Sequence, residues 1–138
     1  MKRNAVMITL VLAIAITMGI IGSQLINAQQ PPGKSTVLQR TDIAGIEGKE
    51  GVIILAELFP GAVGGKHYHP GYEFSYVLEG SMILEVEGKP LATYTAGESY
   101  ILPPKQVHYA KNVSMTASVK VLSFSIVDKG QPLAVPVK

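Results

Sequence analysis

Three histidines and one glutamate are the residues here whose types and spacing can do chemistry. His67, His69 and His108 are the only histidines among 138 residues. His67 and His69 stand two apart, so on a strand both rings leave the same face. Glu73 lies four beyond His69, across Pro70-Gly71. That pair favours a bend or bulge, which can return the carboxylate to the same side. One short segment thus offers two imidazoles and an oxygen donor, and His108 can complete the set from a later strand. Three neutral imidazoles with one carboxylate suit Fe(II), Mn(II), Ni(II), Co(II) or Zn(II), and not calcium or magnesium, which take oxygen ligands. A six-coordinate ion on four such ligands keeps open positions for water, substrate or dioxygen. Taken singly, an H-x-H pair is common on protein surfaces and a lone glutamate is an ordinary strand charge. The elements around them decide between these readings.

Those elements read as short strands broken by Gly and Pro. Gly51–Phe59 is an apolar run closed by Pro60-Gly61, and Tyr72–Leu78 is closed by Glu79-Gly80. Ser81–Val86 alternates, with Met82, Leu84 and Val86 on one face. Glu87-Gly88-Lys89-Pro90 makes a turn into Leu91–Thr95. Ala96-Gly97 turns into Glu98–Leu102, which ends at Pro103-Pro104. Val107–Asn112 and Ser118–Val127 are the last strands. No segment after the leader keeps a helical period, so the pattern is all-β, a barrel or sandwich. An immunoglobulin-like sandwich lacks its Cys…Trp…Cys frame here. Closing the sheet removes its edges.

The first 28 residues differ from the rest. Lys2 and Arg3 precede a run without charge, Ala5 to Gly22, and Ala28 is a small residue suited to cleavage. This is the layout of a signal peptide over residues 1–28, the alternative being an uncleaved anchor at residues 5–22. Both readings export the remainder to the periplasm or beyond, and membrane attachment follows only from the second. Residues 29–36 read as a polar linker, 37–130 as the barrel and 131–138 as a tail. Without Lys2 and Arg3, 10 basic and 10 acidic side chains balance. No basic run favours nucleic acid. Cysteine is absent, which excludes disulfides, a thiol nucleophile, thiolate ligands and a lipid-modified cysteine anchor.

The segment from Gly61 through His67, His69 and Glu73 to Gly80 resembles the first cupin motif, G-x5-H-x-H-x3-E-x6-G, at every fixed position. Gly97, Pro103, His108 and Asn112 resemble the second, G-x5-P-x-G-x2-H-x3-N. Lys105 stands where that motif has glycine. A glycine there permits a positive φ, and a lysine in that conformation costs about 1–2 kcal/mol.

The resemblance implies a cupin jelly-roll, the double-stranded β-helix barrel, with one divalent transition metal on His67, His69, Glu73 and His108. It implies turn roles for Gly61, Gly80, Gly97 and Pro103, and Asn112 pinning a strand. Tyr68, between two ligands, is expected to point away from the metal. Tyr72, Tyr76 and Tyr109 can each be core or stand beside the metal as proton donor or acceptor, the spacing choosing neither, and Met82, Leu84, Val86, Val121 and Phe124 are expected as barrel lining or core. The family's activities are those of oxygenases, decarboxylases, isomerases and lyases on small molecules, oxygenases foremost, and Glu73 can also move protons in some members. The alternative is a non-catalytic domain that binds a metal or small ligand in a sensing, carrier or structural role. Cupin barrels also pair, so a homodimer through terminal strands is expected.

Overall fold

Alternation is strongest in two strands, and their buried faces define the interior. Ser81–Val86 buries Met82, Leu84 and Val86, while Val119–Asp128 buries Val119, Val121, Ser123, Ser125 and Val127. A computed structural model describes residues 31–137. The strands are β1 (Gly33–Asp42), β2 (Lys49–Leu58), β3 (His67–Tyr68), β4 (Tyr72–Glu79) and β5 (Ser81–Val86), followed by β6 (Ala92–Thr95), β7 (Ser99–Leu102), β8 (His108–Asn112), β9 (Val119–Asp128) and β10 (Val135–Pro136). Among the described residues there is no helix. The expected leader, residues 1–28, lies outside them.

The strands form two five-stranded sheets, in the orders β1-β2-β9-β4-β7 and β10-β3-β8-β5-β6. Val77, Val119 and Val121 of the first sheet pack on Met82 of the second, so the two inner faces share one core. Leu84 and Val86 meet Leu102 in a neighbouring cluster. This is the jelly-roll expected from the sequence.

The inner face of the first sheet changes character along β4 and β9. Val77 faces Val121, Ser75 faces Ser123, and Glu73 faces Ser125 in register. An apolar layer therefore gives way to a polar one, where a buried carboxylate finds hydroxyl partners.

Two elements differ from the sequence reading. β1 starts at Gly33, inside the segment read as linker, and pairs along β2. Its side chains are mostly exposed, so burial imposes no alternation on them. β10 falls in the segment read as tail and pairs Val135 with Tyr68 and Pro136 with His67.

Asn112 pins three segments at once. It is 1% exposed. Its Nδ2 donates to the carbonyls of Leu58 (3.1 Å), Phe59 (3.0 Å) and Ala117 (2.8 Å), and its Oδ1 accepts from the Ser114 N–H at 2.9 Å.

Candidate metal centre

β3 is only two residues long, yet it carries the first candidate ligand, His67, and leads directly into the second, His69. His67 pairs directly with His108 of β8, and their ring centroids lie 4.4 Å apart. The chain then bends through Pro70-Gly71. Gly71 is required there, since a Cβ would stand 1.8 Å from the Ile126 carbonyl oxygen. The bend lets β4 begin with Glu73 pointing inward, as the sequence reading expects. His69, Glu73 and His108 are buried, with His67 half-buried at the mouth.

Each imidazole is fixed from behind by a backbone carbonyl. Nδ1 of His67 meets the Gly65 oxygen at 2.8 Å, that of His69 the Leu133 oxygen at 2.6 Å, and that of His108 the Gln106 oxygen at 2.9 Å. A carbonyl only accepts, so each Nδ1 carries the proton and each Nε2 is left to the interior. The second anchor of each ring thereby sets its tautomer and orientation. The three rings offer ligand atoms that all lie within 4.8 Å of one another, and this triad can hold a metal ion. Two basic nitrogens aimed inward beside a third, with no thiol nearby, fit a borderline transition metal.

Glu73 is outside that group of three. Its Oε2 lies 3.0 Å from Nε2 of His69, and its Oε1 accepts from the Ser75 hydroxyl at 2.8 Å. Ser75 in turn meets Ser123 at 2.8 Å. Burial alone would lower the His69 pKa, but the hydrogen bond and charge of Glu73, with the Leu133 carbonyl, outweigh it and hold it above the ordinary imidazole value. Burial likewise pushes Glu73 up, and the His69 contact, Ser75 and the charge of His108 bring it below the usual carboxylate range. In the absence of metal each partner thus favours the charged form of the other. His108 behaves oppositely: burial, against the Gln106 carbonyl, and repulsion from the other two rings lower it to about 4.

The triad and Glu73 line a cavity of about 380 Å³ inside the barrel. Met82, Leu84 and Val121 line it, as expected. Phe124 does not: it faces outward and is 41% exposed, because β9 puts odd and even residues on opposite faces and Phe124 falls between Ser123 and Ser125. Tyr72 and Tyr76, for which a core place was one of the readings, also face outward on β4. Tyr109 is likewise no core residue; its hydroxyl donates to Glu85.

The sequence reading missed Ser75, Ser123, Ser125, Tyr100 and the Leu133 carbonyl. The serines had a signal, since they break a run of inward valines at alternate positions. Ser125 is 2% exposed and, among the described residues, its hydroxyl has no partner. Leu133 acts through its backbone and had none.

Comparison with known proteins agrees with this architecture. None of the curated proteins matches the chain in sequence. Among solved structures, a Klebsiella pneumoniae protein with a double-stranded β-helix domain superposes with a TM-score of 0.60 at 20% identity, over 80% of this chain and 89% of that one. The DMSP lyase DddQ from Ruegeria pomeroyi gives 0.63 at 17% identity, over 77% of this chain and 52% of that one. The polyketide cyclase RemF from Streptomyces resistomycificus gives 0.57 at 20% identity, over 80% and 77%. At these identities the likeness is one of fold. The family model for the cupin domain matches residues 54–125, more than half of the sequence and a span that holds all three histidines and Glu73, so the chain belongs to the cupin family.

Proposed function

We propose that this cupin is a metal-dependent enzyme acting on a small organic molecule outside the cytoplasm, with the ion held by His67, His69, His108 and Glu73. One observation carries the reading: three imidazoles, each locked through Nδ1, turn their Nε2 atoms into a cavity large enough for a small molecule. Nε2 of His69 and Oε2 of Glu73 lie 3.0 Å apart, where the two side chains would share a cation. A bound divalent ion would supply Lewis acidity or a site for dioxygen. Glu73, backed by Ser75, is the group placed to hold or move a substrate proton.

Export rests on Lys2 and Arg3 ahead of the uncharged run from Ala5 to Gly22. The oxygenase class implied by the family resemblance consumes dioxygen, whereas a lyase, the activity named for one fold neighbour, does not require it. The test is the metal content of protein isolated from its own host, followed by oxygen uptake and product analysis on metal-loaded protein. Transition metal with exchangeable water supports the enzyme. Four-coordinate zinc without water supports the structural alternative instead.

Pairing with a second copy belongs to the same reading. The outer face of the first sheet carries Tyr72, Phe74, Tyr76, Leu78, Ile101 and Phe124, each 41–56% exposed. Phe74 faces Phe124 across β4 and β9, and Ile101 across β4 and β7. A contiguous apolar patch of this kind marks an interaction surface. It lies on β4, β7 and β9, away from the terminal strands through which pairing was expected.

A further inference from the structure

The charges around the cavity define the class of ligand it takes, given the metal site proposed above. A divalent ion beside the Glu73 carboxylate leaves one uncompensated positive charge. Lys34 and Glu57 also border the cavity, but they pair with each other across β1 and β2 and alternate with the inward Ile54, Ala56 and Leu58, so their side chains lie on the outer face and add no charge to the interior. No arginine lines the cavity, and Arg40 is occupied by Glu50 at 2.8 Å. Burial keeps the Tyr100 hydroxyl protonated by raising its pKa, and the nearby Glu73 charge adds to this, so it contributes no charge.

Apart from the neutral hydroxyls of Ser35, Ser123 and Tyr100, the wall is mostly apolar, from Val37, Ala56, Leu84, Ala110, Val121 and Leu133. In such surroundings an unbalanced charge is costly and a balanced one is favoured. A monoanion on the ion brings the site to neutrality. A dianion overshoots, and its second head meets hydrocarbon or neutral hydroxyls, with no cationic side chain in the lining to pair it. A neutral molecule leaves the positive charge in place. The cavity of about 380 Å³ is also far larger than one head group needs, so the remainder of the ligand lies against that apolar wall.

We infer that the cavity takes a ligand with a single oxygen head, a carboxylate, enolate or phenolate, carried on an uncharged apolar body. This excludes small dicarboxylates and polyanionic sugars as its preferred ligands. Ala56, on the inner face of β2, sets the room available for the body.

The experiment uses Co(II)-loaded protein, read by the visible spectrum of the ion and by calorimetry. The probes are acetate, 3-phenylpropionate, succinate and 3-phenylpropan-1-ol. 3-Phenylpropionate is expected to perturb the spectrum and to bind at least tenfold more tightly than each of the others. Succinate or the alcohol binding as tightly overturns the single-head assignment, and acetate doing so overturns the apolar body. Ala56→Phe is expected to weaken 3-phenylpropionate at least tenfold while acetate affinity and Co(II) uptake stay unchanged. Equal loss for both acids overturns the placement of the body, and the wild-type comparison stands without this variant. Protein that takes up no Co(II), or whose spectrum none of the probes alters, overturns the metal reading itself. Uptake and perturbation with the wrong order of affinities overturns the ligand class alone.

Discussion

The backbone N–H of Lys105 donates to the carbonyl oxygen of His69 at 2.8 Å. Lys105 holds a φ of 63°, and it is the one non-glycine residue with positive φ among the described residues. The turn after Pro103-Pro104 thus keeps the geometry that a glycine would supply, and uses it to fasten the strand segment bearing His69. Two parts of the site, 36 residues apart in the chain's two motifs, are tied through this backbone contact rather than through side chains.

Lys105→Gly removes the left-handed strain of about 1 kcal/mol, partly offset by the greater freedom of glycine in the unfolded chain. A net gain of roughly 0.5 kcal/mol is expected by urea denaturation, with metal content unchanged. Lys105→Pro deletes the N–H and forbids positive φ. It is expected to loosen His69 and lower metal affinity. Equal metal affinity in both variants would show that the contact does not position the ligand.

His69→Ala removes a proposed ligand and leaves the buried Glu73 with the Ser75 hydroxyl but without its imidazole partner. Metal affinity is expected to fall by more than the roughly 10–100-fold that loss of an outer hydrogen-bond partner costs. Metal analysis after dialysis measures it. Ser75→Ala, which takes only the hydroxyl from Glu73 Oε1, is expected to fall within that smaller range.

Much of this site was legible because ligand chemistry is written in residue types and spacing. The three histidines and Glu73 stand at fixed offsets, and the strand period places His67 and His69 on one face. Lys105 was visible as an exception because a backbone requirement met the wrong side chain. What was not legible depends on register and backbone. The face to which Phe124 and Tyr76 belong is set by where β9 and β4 start counting, and apolar residues on both faces hid that choice. β1 lacked a signal because an exposed strand needs no alternation. The Leu133 carbonyl comes from a segment whose side chains gave no reason to fold back onto β3.

Metal uptake should release a proton. Below its raised pKa, His69 carries a second ring proton that points at Glu73, and the ion must displace it. About one proton per metal is expected at mildly acidic pH, falling toward none as pH rises through the His69 value. Calorimetry in buffers of different ionisation enthalpy counts it. Glu73→Gln removes the charge that raises His69, so burial leaves the ring neutral and the release is expected to vanish.

Stability of the metal-free protein should carry the mark of His108. Its folded value of about 4 lies below the ordinary 6.5 of an imidazole, so between these values the unfolded chain binds more protons than the folded one. Folding is therefore weakened progressively as pH falls from about 6.5 toward 4. The His69–Glu73 pair acts in two other directions. The raised His69 contributes stability at low pH that is lost as pH rises through its folded value, and the lowered Glu73 contributes stability that is lost as pH falls through its own. Melting curves of apo protein across this range are expected to show the His108 slope, and His108→Gln, which cannot titrate, is expected to flatten it.

The outer face of the first sheet gives the last expectation. Phe74, Tyr76 and Phe124 point away from the core at 41%, 47% and 41% exposure, so changing them alters little of the barrel's own packing. If a second copy covers this face, a charge placed at its centre must be buried without a partner, which is costly at an interface. Phe74→Glu is expected to convert a dimer to a monomer by sedimentation, while metal content and the pH profile of melting stay as in the wild type. Tyr109→Phe, outside this face, is expected to leave the dimer intact. Wild-type protein that sediments as a monomer at concentrations well above micromolar would remove the second copy as the occupant of the patch.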